Sequence, residues 1–282
     1  MIFDFKKLRP SPKYPTYPAY HAGDYLEDYF YNFYIRNKQK FDKKNRTLIP
    51  VSWTTLYVDG TTENIQSYLD ALDQNIPYFA VSQHDDGIRQ KLPKNTIHFG
   101  AGGLGGGLPI PLICSPIPQN LIGDVPKDKS IFCSFIGSMT HPIRGEIYSK
   151  YANNYKFTFN PPRMWSQSVG DANLKQFIDV TKNSIYSLAP RGYGLSSFRL
   201  YEILQLGAIP VYVSDKHWLP FQKYVDWNKF CVIIKESQIN SLEQILLNIS
   251  PQIRNEMLIE GRRVWNEYFT LEKTCERILE IL

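Results

Sequence analysis

Ser196 to Asp215, SSFRLYEILQLGAIPVYVSD, follows directly on the turn PRGYG and sets two serines, an arginine and a glutamate within two helical turns. A strand ending near Leu188, a glycine-containing turn and a helix starting near Ser197 make a strand–turn–helix unit. In a doubly wound sheet, ligands sit at the carboxyl ends of strands, where a helix N-terminus offers unpaired N–H groups to a phosphate. Ser196, Ser197 and Arg199 would add to those donors. Glu202, three positions after Arg199, lies close to its face, where a carboxylate accepts hydrogen bonds from a ribose diol. A sugar nucleotide needs both interactions. The same residues also admit a structural arrangement, with Ser197 as helix cap, Arg199 paired to Glu202, and Phe198, Tyr201, Ile203 and Leu204 in the core. Spacing alone leaves both open, because neither a Walker lysine nor G-x-G-x-x-G is present.

A second stretch, SQHDDGIRQ, hands His84, Asp85, Asp86 and Gly87 to a loop after a strand that ends at Gln83. Its structural alternative is an ordinary Asp-rich turn. The glycine run AGGLGGGLP (Ala101 to Pro109) lacks the Lys-Ser/Thr of a phosphate cradle and leads into LPIPLICSPIP instead of a helix. It reads as a structural or mobile connection near the cleft, or as a loop closing over substrate. NPPRMWSQS offers Arg163 and Trp165 to a sugar or to the core. DKHWLPF places Asp215, His217 and Trp218 after a strand, with Pro220 and Phe221 structural. Tyrosines of the early YPTYPAYHAGDYLEDYFYNFY either stack on an acceptor or pack an N-terminal arm.

The elements that must position these groups follow from apolar patterning. Short apolar runs alternate with helical stretches, which predicts an α/β protein with parallel sheets. Residues 1–20 are read as extended, GDYLEDYFYNFYIRN as a helix, and LYV, YFAVSQ and IHF as strands separated by the helix ENIQSYLDALDQN. The polar, breaker-rich GDVPKDKS (Gly123 to Ser130) is the expected linker between an N-terminal domain, 1–125, and a C-terminal domain, 126–282. Beyond it come strands at IFCSFIG, YKFTF, SIYSLAP, AIPVYVS and CVIIK, with helices from about Arg144, at NLKQFIDVTKN, from Ser197 and at SLEQILLNI. The C-terminal stretch is mostly helical, capped by Ser250 before Pro251. At 282 residues the chain suits two domains with a cleft between them.

Composition is globular, 43% hydrophobic and 21% charged. The net charge of +5 is mild, and no Lys/Arg run is long enough to track a nucleic-acid backbone, so no nucleic-acid partner is expected. Cys114, Cys133, Cys231 and Cys275 show neither zinc nor disulfide spacing and fit reduced thiols in a cytoplasm. Neither a signal-peptide region nor an apolar run near membrane-span length appears, which points to a soluble chain without an anchor. No Asp-x-Asp occurs and His21, His84, His98, His141 and His217 lack ligand spacing, so no metal is expected.

From Asn183 to Ile234 the sequence resembles the signature region of exostosin-family glycosyltransferases: a Pro-x-Gly turn, Ser-x-Arg-hydrophobic-x-Glu, Gly-x-x-Pro-Val, then Ser-Asp followed by Pro-Phe. IFCSFIGSMTHPIRGEIYSKY and YFAVSQHDDG are similar to further family segments, and the likeness runs roughly from Pro77 to Phe269. It includes anchorless exostosin-like proteins of large viruses and microbes. The resemblance implies a GT-B fold, two facing Rossmann-like domains with a cleft between them, with donor in the C-terminal one. It implies inverting transfer from a UDP-sugar, with UDP-xylose as first choice, to a glycan acceptor hydroxyl, with no cofactor; a monomer or weak homo-oligomer is expected. Carried over by position, Arg144, Ser197 and Arg199 face the diphosphate and Glu202 the ribose, while Gly137, Ser138 and Gly192 let backbone approach. Ser196 and Phe198 fall in the same donor group. Arg191 stands where many members have a small residue, and it joins Arg144 and Arg199 as a candidate to stabilise the leaving diphosphate. For the base that takes the acceptor proton, Asp85 is the candidate, with His84 as helper or substitute and Asp86 and Asp59 as outside choices. The alternative function is a catalytically silent partner subunit that binds sugar nucleotide or glycan.

Overall fold

Strands buried on both faces belong in parallel sheets covered by helices. Every residue of Tyr78–Ser82 and of Ile209–Val213 is buried, as is nearly all of Ser184–Pro190. The computed structural model describes residues 5–10, 24–41, 45–164 and 170–282. Its first unit runs α1 (Phe5–Leu8), α2 (Leu26–Phe41), β1 (Thr47–Leu48), α3 (Trp53–Asp59), α4 (Ile65–Asp70), β2 (Tyr78–Ser82), β3 (Thr96–Gly100), β4 (Leu108–Pro109) and α5 (Gln119–Ile122). The strands pair in the order β1-β2-β3-β4, all parallel.

The second unit comprises β5 (Ile131–Phe135), α6 (Pro142–Tyr151), β6 (Phe157–Phe159), α7 (Asp171–Lys182), β7 (Ser184–Pro190), α8 (Phe198–Gln205), β8 (Ile209–Val213), β9 (Val232–Ile234), α9 (Leu242–Leu247), α10 (Pro251–Val264) and α11 (Leu271–Ile281). Its parallel strands are ordered β6-β5-β7-β8-β9. The chain therefore reverses direction across the sheet between β5 and β7. Such a switch point opens a crevice beyond the carboxyl ends of those two strands, where open α/β sheets bind ligands. The two sheets lie on either side of residues 123–130. Two parallel α/β units facing across a cleft constitute the GT-B arrangement.

Helix ends obey their local chemistry. Ser197 caps α8, accepting from the Arg199 N–H at 3.3 Å, and Ser250 caps α10 ahead of Pro251, accepting from the Ile253 N–H at 3.3 Å. After α10 a π-helical turn, Trp265–Phe269, redirects the chain so that α11 packs against α2 of the first unit. One apolar core accordingly joins Phe30, Phe79 and Phe99 to Tyr201, Phe230, Phe269 and Ile278. Among the described residues no helix is long and apolar enough to cross a membrane.

Three expectations need correction. LYV is not a strand: it lies inside α3, where Trp53 and Leu56 bury one face and Gly60, at φ 71°, ends the helix in the left-handed region. Three apolar residues are too short a run for periodicity to separate strand from helix. The helix expected over ENIQSYLDALDQN is limited to α4, and within the first 20 residues Phe5–Leu8 form a helical turn. Residues 1–4 and 11–23, with the arm tyrosines Tyr14, Tyr17 and Tyr20, lie outside the described residues.

The glycine run is a structural connection. Parallel neighbours ordinarily need a crossover of a dozen or more residues, yet β3 reaches β4 through Ala101–Gly107. Gly107, at φ 95°, makes this possible, because a Cβ there would sit 2.6 Å from the His98 carbonyl oxygen. The His98 ring supports the loop, holding Ser82 Oγ at 2.7 Å, and burial pushes its pKa down to about 4.

Candidate functional site

A cleft of about 420 Å³ lies between the units and draws walls from both. From the second unit come Gly137 and Ser138 after β5, and Gly192, Ser196, Ser197, Phe198, Arg199 and Glu202 after β7, together with Arg144 on α6. These are the two loops at the switch point. From the first unit come His84 and Asp85 after β2.

The first residues of α8, Phe198 and Arg199, line this crevice beside Ser197 and the buried Ser196. A helix N-terminus favours negative charge there. The Arg199 guanidinium carbon lies over the Phe177 ring, 3.6 Å from its centroid, and its Nη1 donates to Glu202 Oε2 at 2.9 Å. Both partners are largely buried. The capping and ion-pairing arrangement allowed by the sequence is thus present, and the same groups line the cleft.

Arg144 performs a different local task from simple exposure to a ligand. Three of a guanidinium's five N–H groups donate to carbonyls: Nε to Arg191 at 3.0 Å, Nη1 to Ser138 at 2.9 Å and Nη2 to Pro190 at 2.9 Å. Arg144 therefore ties the loop after β5 to the loop after β7 while lending the cleft its charge. Gly192 fits against it, since a Cβ would come within 3.4 Å of Nη2 and 3.3 Å of Thr140 Oγ1. Arg191 is not in the cleft wall. Its guanidinium turns back on its own loop, donating to the carbonyls of Gly192 and Tyr193.

Asp85 is the group that crosses between the units. Its Oδ1 lies against Gly194, where a Cβ would approach to 2.3 Å, and its backbone lies against Gly102, where a Cβ would come within 2.2 Å of the Asp85 Cα. The Leu104 N–H donates to the Asp85 carbonyl at 3.0 Å, and the Leu195 N–H to the Gly102 carbonyl at 2.8 Å. Trp218, after β8, adds a third tie by donating from Nε1 to the Gly100 carbonyl at 3.0 Å. Burial, then repulsion from Asp86, pushes the Asp85 pKa up to about 6 against the opposing pull of Arg144 and Arg191. Burial, then Arg89, lowers the His84 pKa, and its ring meets Tyr57 edge-on at 5.1 Å. Asp86 pairs with Arg89, which holds its carboxyl below the ordinary range.

The remaining sequence candidates fall elsewhere. Asp59 ends α3 and is absent from the cleft wall, Arg163 donates to Asn173, and Asp215 accepts from the Glu236 N–H. His217 packs near Tyr212, Phe221 is buried, and Trp165 lies outside the described residues. Among the described residues no three or more His, Cys, Asp or Glu side chains group together to hold a metal ion.

The floor on the first-unit side is formed by Tyr25, Thr54 and Gln83; Tyr25 falls in the early tyrosine stretch offered for acceptor stacking, whereas sequence reasoning did not single out Thr54 or Gln83 as site residues. Beneath it lies Glu27 of α2, buried, accepting from Thr54 N at 3.0 Å, Thr54 Oγ1 at 2.9 Å and Gln83 N at 2.8 Å. Burial and the neighbouring Asp28 raise its pKa to about 7 in spite of those donors. A glutamate in the first turn of a helix carries no sequence signal beyond favourable interaction with the helix dipole. Gln83 was more legible, as the residue directly before His84-Asp85 at a strand end.

The Exostosin GT47 domain model matches residues 68–249. Among curated proteins, an exostosin-1 homolog of Caenorhabditis elegans is 31% identical over 108 residues, covering 38% of this chain and 28% of the relative. A probable glycosyltransferase of Arabidopsis thaliana is 29% identical over 136 residues, covering 46% of this chain and 24% of the relative. Exostosin-2 of Mus musculus is 31% identical over 90 residues, covering 32% and 12%. The matches thus span between about an eighth and just over a quarter of these relatives' lengths. Among solved structures, a sucrose-phosphate synthase from Thermosynechococcus elongatus shares a TM-score of 0.41 at 11% identity, covering 88% of this chain and 69% of that one. The pneumococcal O-GlcNAc transferase GtfA, solved with UDP and GlcNAc, gives 0.38 at 12% identity, covering 89% and 48%. With the family's domain matched over residues 68–249, well beyond half of its length, the chain belongs to the exostosin GT47 domain family.

Proposed function

We propose that the chain is an inverting glycosyltransferase that moves a sugar from a UDP-sugar to a hydroxyl of a glycan acceptor. The observation that carries this reading is the position of Asp85: a carboxylate with its pKa raised to about 6, projecting from the first unit onto the loop after β7 of the second. In the proposed step the acceptor oxygen forms a bond to the anomeric carbon as its proton passes to Asp85. The bond from that carbon to the UDP oxygen breaks, and its electron pair leaves on the diphosphate. A base with its pKa just below neutral is ionised at pH 7 and basic enough to contribute about 10²–10⁴-fold.

The leaving diphosphate would bind at the N-terminus of α8, against Ser197 and Arg199 and the backbone at Gly137, Ser138 and Gly192, with Glu202 receiving the ribose. Arg144, Arg199 and the helix dipole would balance its charge without a metal, and Arg191, turned back on its own loop, would not reach it. UDP-xylose is the first donor to test, on family resemblance. The four cysteines are free thiols, which fits a reducing, cytoplasmic setting. The protein would act as a monomer or weak homo-oligomer without a nucleic-acid partner.

The test is a thermal-shift and transfer panel with UDP, GDP and several UDP-sugars, with and without EDTA. Stabilisation by UDP and by one UDP-sugar, transfer unaffected by EDTA, and loss of transfer with retained UDP binding in Asp85→Asn are the expected results. Ligand at about 100 times its dissociation constant adds about 2.7 kcal/mol. Binding with no turnover of any donor would assign a sugar-nucleotide-binding partner subunit instead.

A further inference from the structure

Gln83 lines the cleft two residues before Asp85 and is only 5% exposed. Its Oε1 is buried and has no hydrogen-bond partner among the described residues. A buried carbonyl oxygen without a donor is costly, and native proteins rarely tolerate one without a reason. The backbone beneath it is firmly held: Glu27 Oε2 accepts the Gln83 N–H at 2.8 Å, and the same carboxylate takes both the N–H and the hydroxyl of Thr54, a second residue of the cleft wall. The Gln83 backbone is thus fixed in the wall while its side-chain oxygen has no donor among the described residues.

We infer that Gln83 recognises the acceptor, its side-chain oxygen accepting a hydrogen bond from a hydroxyl adjacent to the one that Asp85 deprotonates. The acceptor is then a sugar with a vicinal diol at the site of transfer. This rests on the glycosyltransferase reading above. Two residues apart, the Gln83 and Asp85 Cα atoms are at most about 7 Å from each other, so their side chains can address neighbouring hydroxyls of one ring. Gln83 is a specificity-determining residue in this role and takes no proton.

The experiment measures transfer from the UDP-sugar that the protein turns over to p-nitrophenyl β-galactoside and β-glucoside, and to analogues of each lacking one hydroxyl beside the glycosylated position. With wild-type protein, removing the adjacent hydroxyl is expected to lower kcat/KM roughly tenfold or more, because the buried oxygen is then left unpaired. Gln83→Leu is expected to lose a similar factor, mainly as acceptor KM, on the full glycosides. It should match wild type on the deoxy analogue and keep wild-type stabilisation by UDP. Wild-type indifference to the missing hydroxyl, or an unchanged acceptor KM in Gln83→Leu, overturns the role of Gln83 alone. Donor hydrolysis without transfer to any of these glycosides overturns it too. Failure to bind or turn over any UDP-sugar brings down the function itself and this inference with it. The deoxy series needs no variant, so the outcome does not depend on Gln83→Leu folding.

Discussion

Replacing Asp85 by Asn is expected to abolish transfer and to stabilise the protein. The Asp85 carboxyl carries a pKa of about 6 against an ordinary 3.8, raised by burial and by Asp86. Below the ordinary value the residue is neutral both folded and unfolded, and nothing is lost. As pH rises the unfolded chain releases its proton first, while the folded protein holds it until about pH 6. Stability falls across that window and stays at its lower level above it. Two pKa units correspond to about 3 kcal/mol, and partial solvent screening at a cleft wall reduces this to about 1–3 kcal/mol. Asn keeps the shape and loses the charge. At pH 7.5 its melting temperature should therefore exceed that of wild type by about 2–6 °C, at roughly 2 °C per kcal/mol for a chain of this size. The gap should close as pH is lowered from 6 towards 4. Thermal melts of both proteins across this range provide the assay, and wild-type kcat/KM should rise through an apparent pKa near 6 over the same interval. A variant no more stable than wild type at pH 7.5, or a gap indifferent to pH, would refute a desolvated carboxylate at this position.

Arg199→Lys should weaken UDP binding about tenfold by calorimetry, because an ammonium can neither lie flat on Phe177 nor present the guanidinium fork; an unchanged Kd would remove Arg199 from the donor site. Gly194→Ala should lower transfer about 100-fold while UDP still binds, since its Cβ would meet Asp85 Oδ1 at 2.3 Å and the Gly102 carbonyl at 2.7 Å. The accompanying loss of about 1–3 kcal/mol is read in the same melts, and wild-type transfer would show that Asp85 need not occupy this place. Glu27→Ala strands the Thr54 and Gln83 donors, so a loss of about 2–4 kcal/mol is expected. It should come with reduced kcat and intact UDP binding, whereas a fall in UDP affinity alone would argue against Glu27 supporting the first-unit wall.

What the sequence reveals of this molecule follows how locally each feature is encoded. β7, the turn, α8 and β8 form one continuous unit from Ser184 to Val213, in which apolar strands, a Ser cap and a glycine break stand next to each other. The cleft residues after β7 inherit that legibility, because a strand end and the following helix start must adjoin. Short elements did not share it: β1 has two residues, and α3 presents too few apolar positions to declare its period. Contacts between distant segments were least visible. The Glu27 carboxylate meets Thr54 and Gln83, Arg144 spends its N–H groups on carbonyls 46 and 47 positions away, and α11 returns to α2 across the whole chain. None of these leaves a pattern at the residues concerned.

The opposition between structural and functional readings of Ser197, Arg199 and Glu202 dissolves once burial is considered. A largely buried arginine such as Arg199, proposed to bind a diphosphate, cannot remain without a counter-charge, since an isolated buried charge is strongly disfavoured. Glu202 supplies that charge three residues along, and Phe177 supplies a flat face. Ser197 likewise satisfies an α8 N–H and still borders the cleft. The cap and the ion pair are therefore compatible with the proposed binding role of the same residues. Asp85 is the contrasting case: burial and then like-charged Asp86 outweigh Arg144 and Arg191, leaving its carboxyl with a raised pKa. In the proposed roles, the group that would bind charge is kept neutralised by a neighbour, while the group that would accept a proton has its pKa raised, and the two are distinguished by their surroundings more than by their residue type.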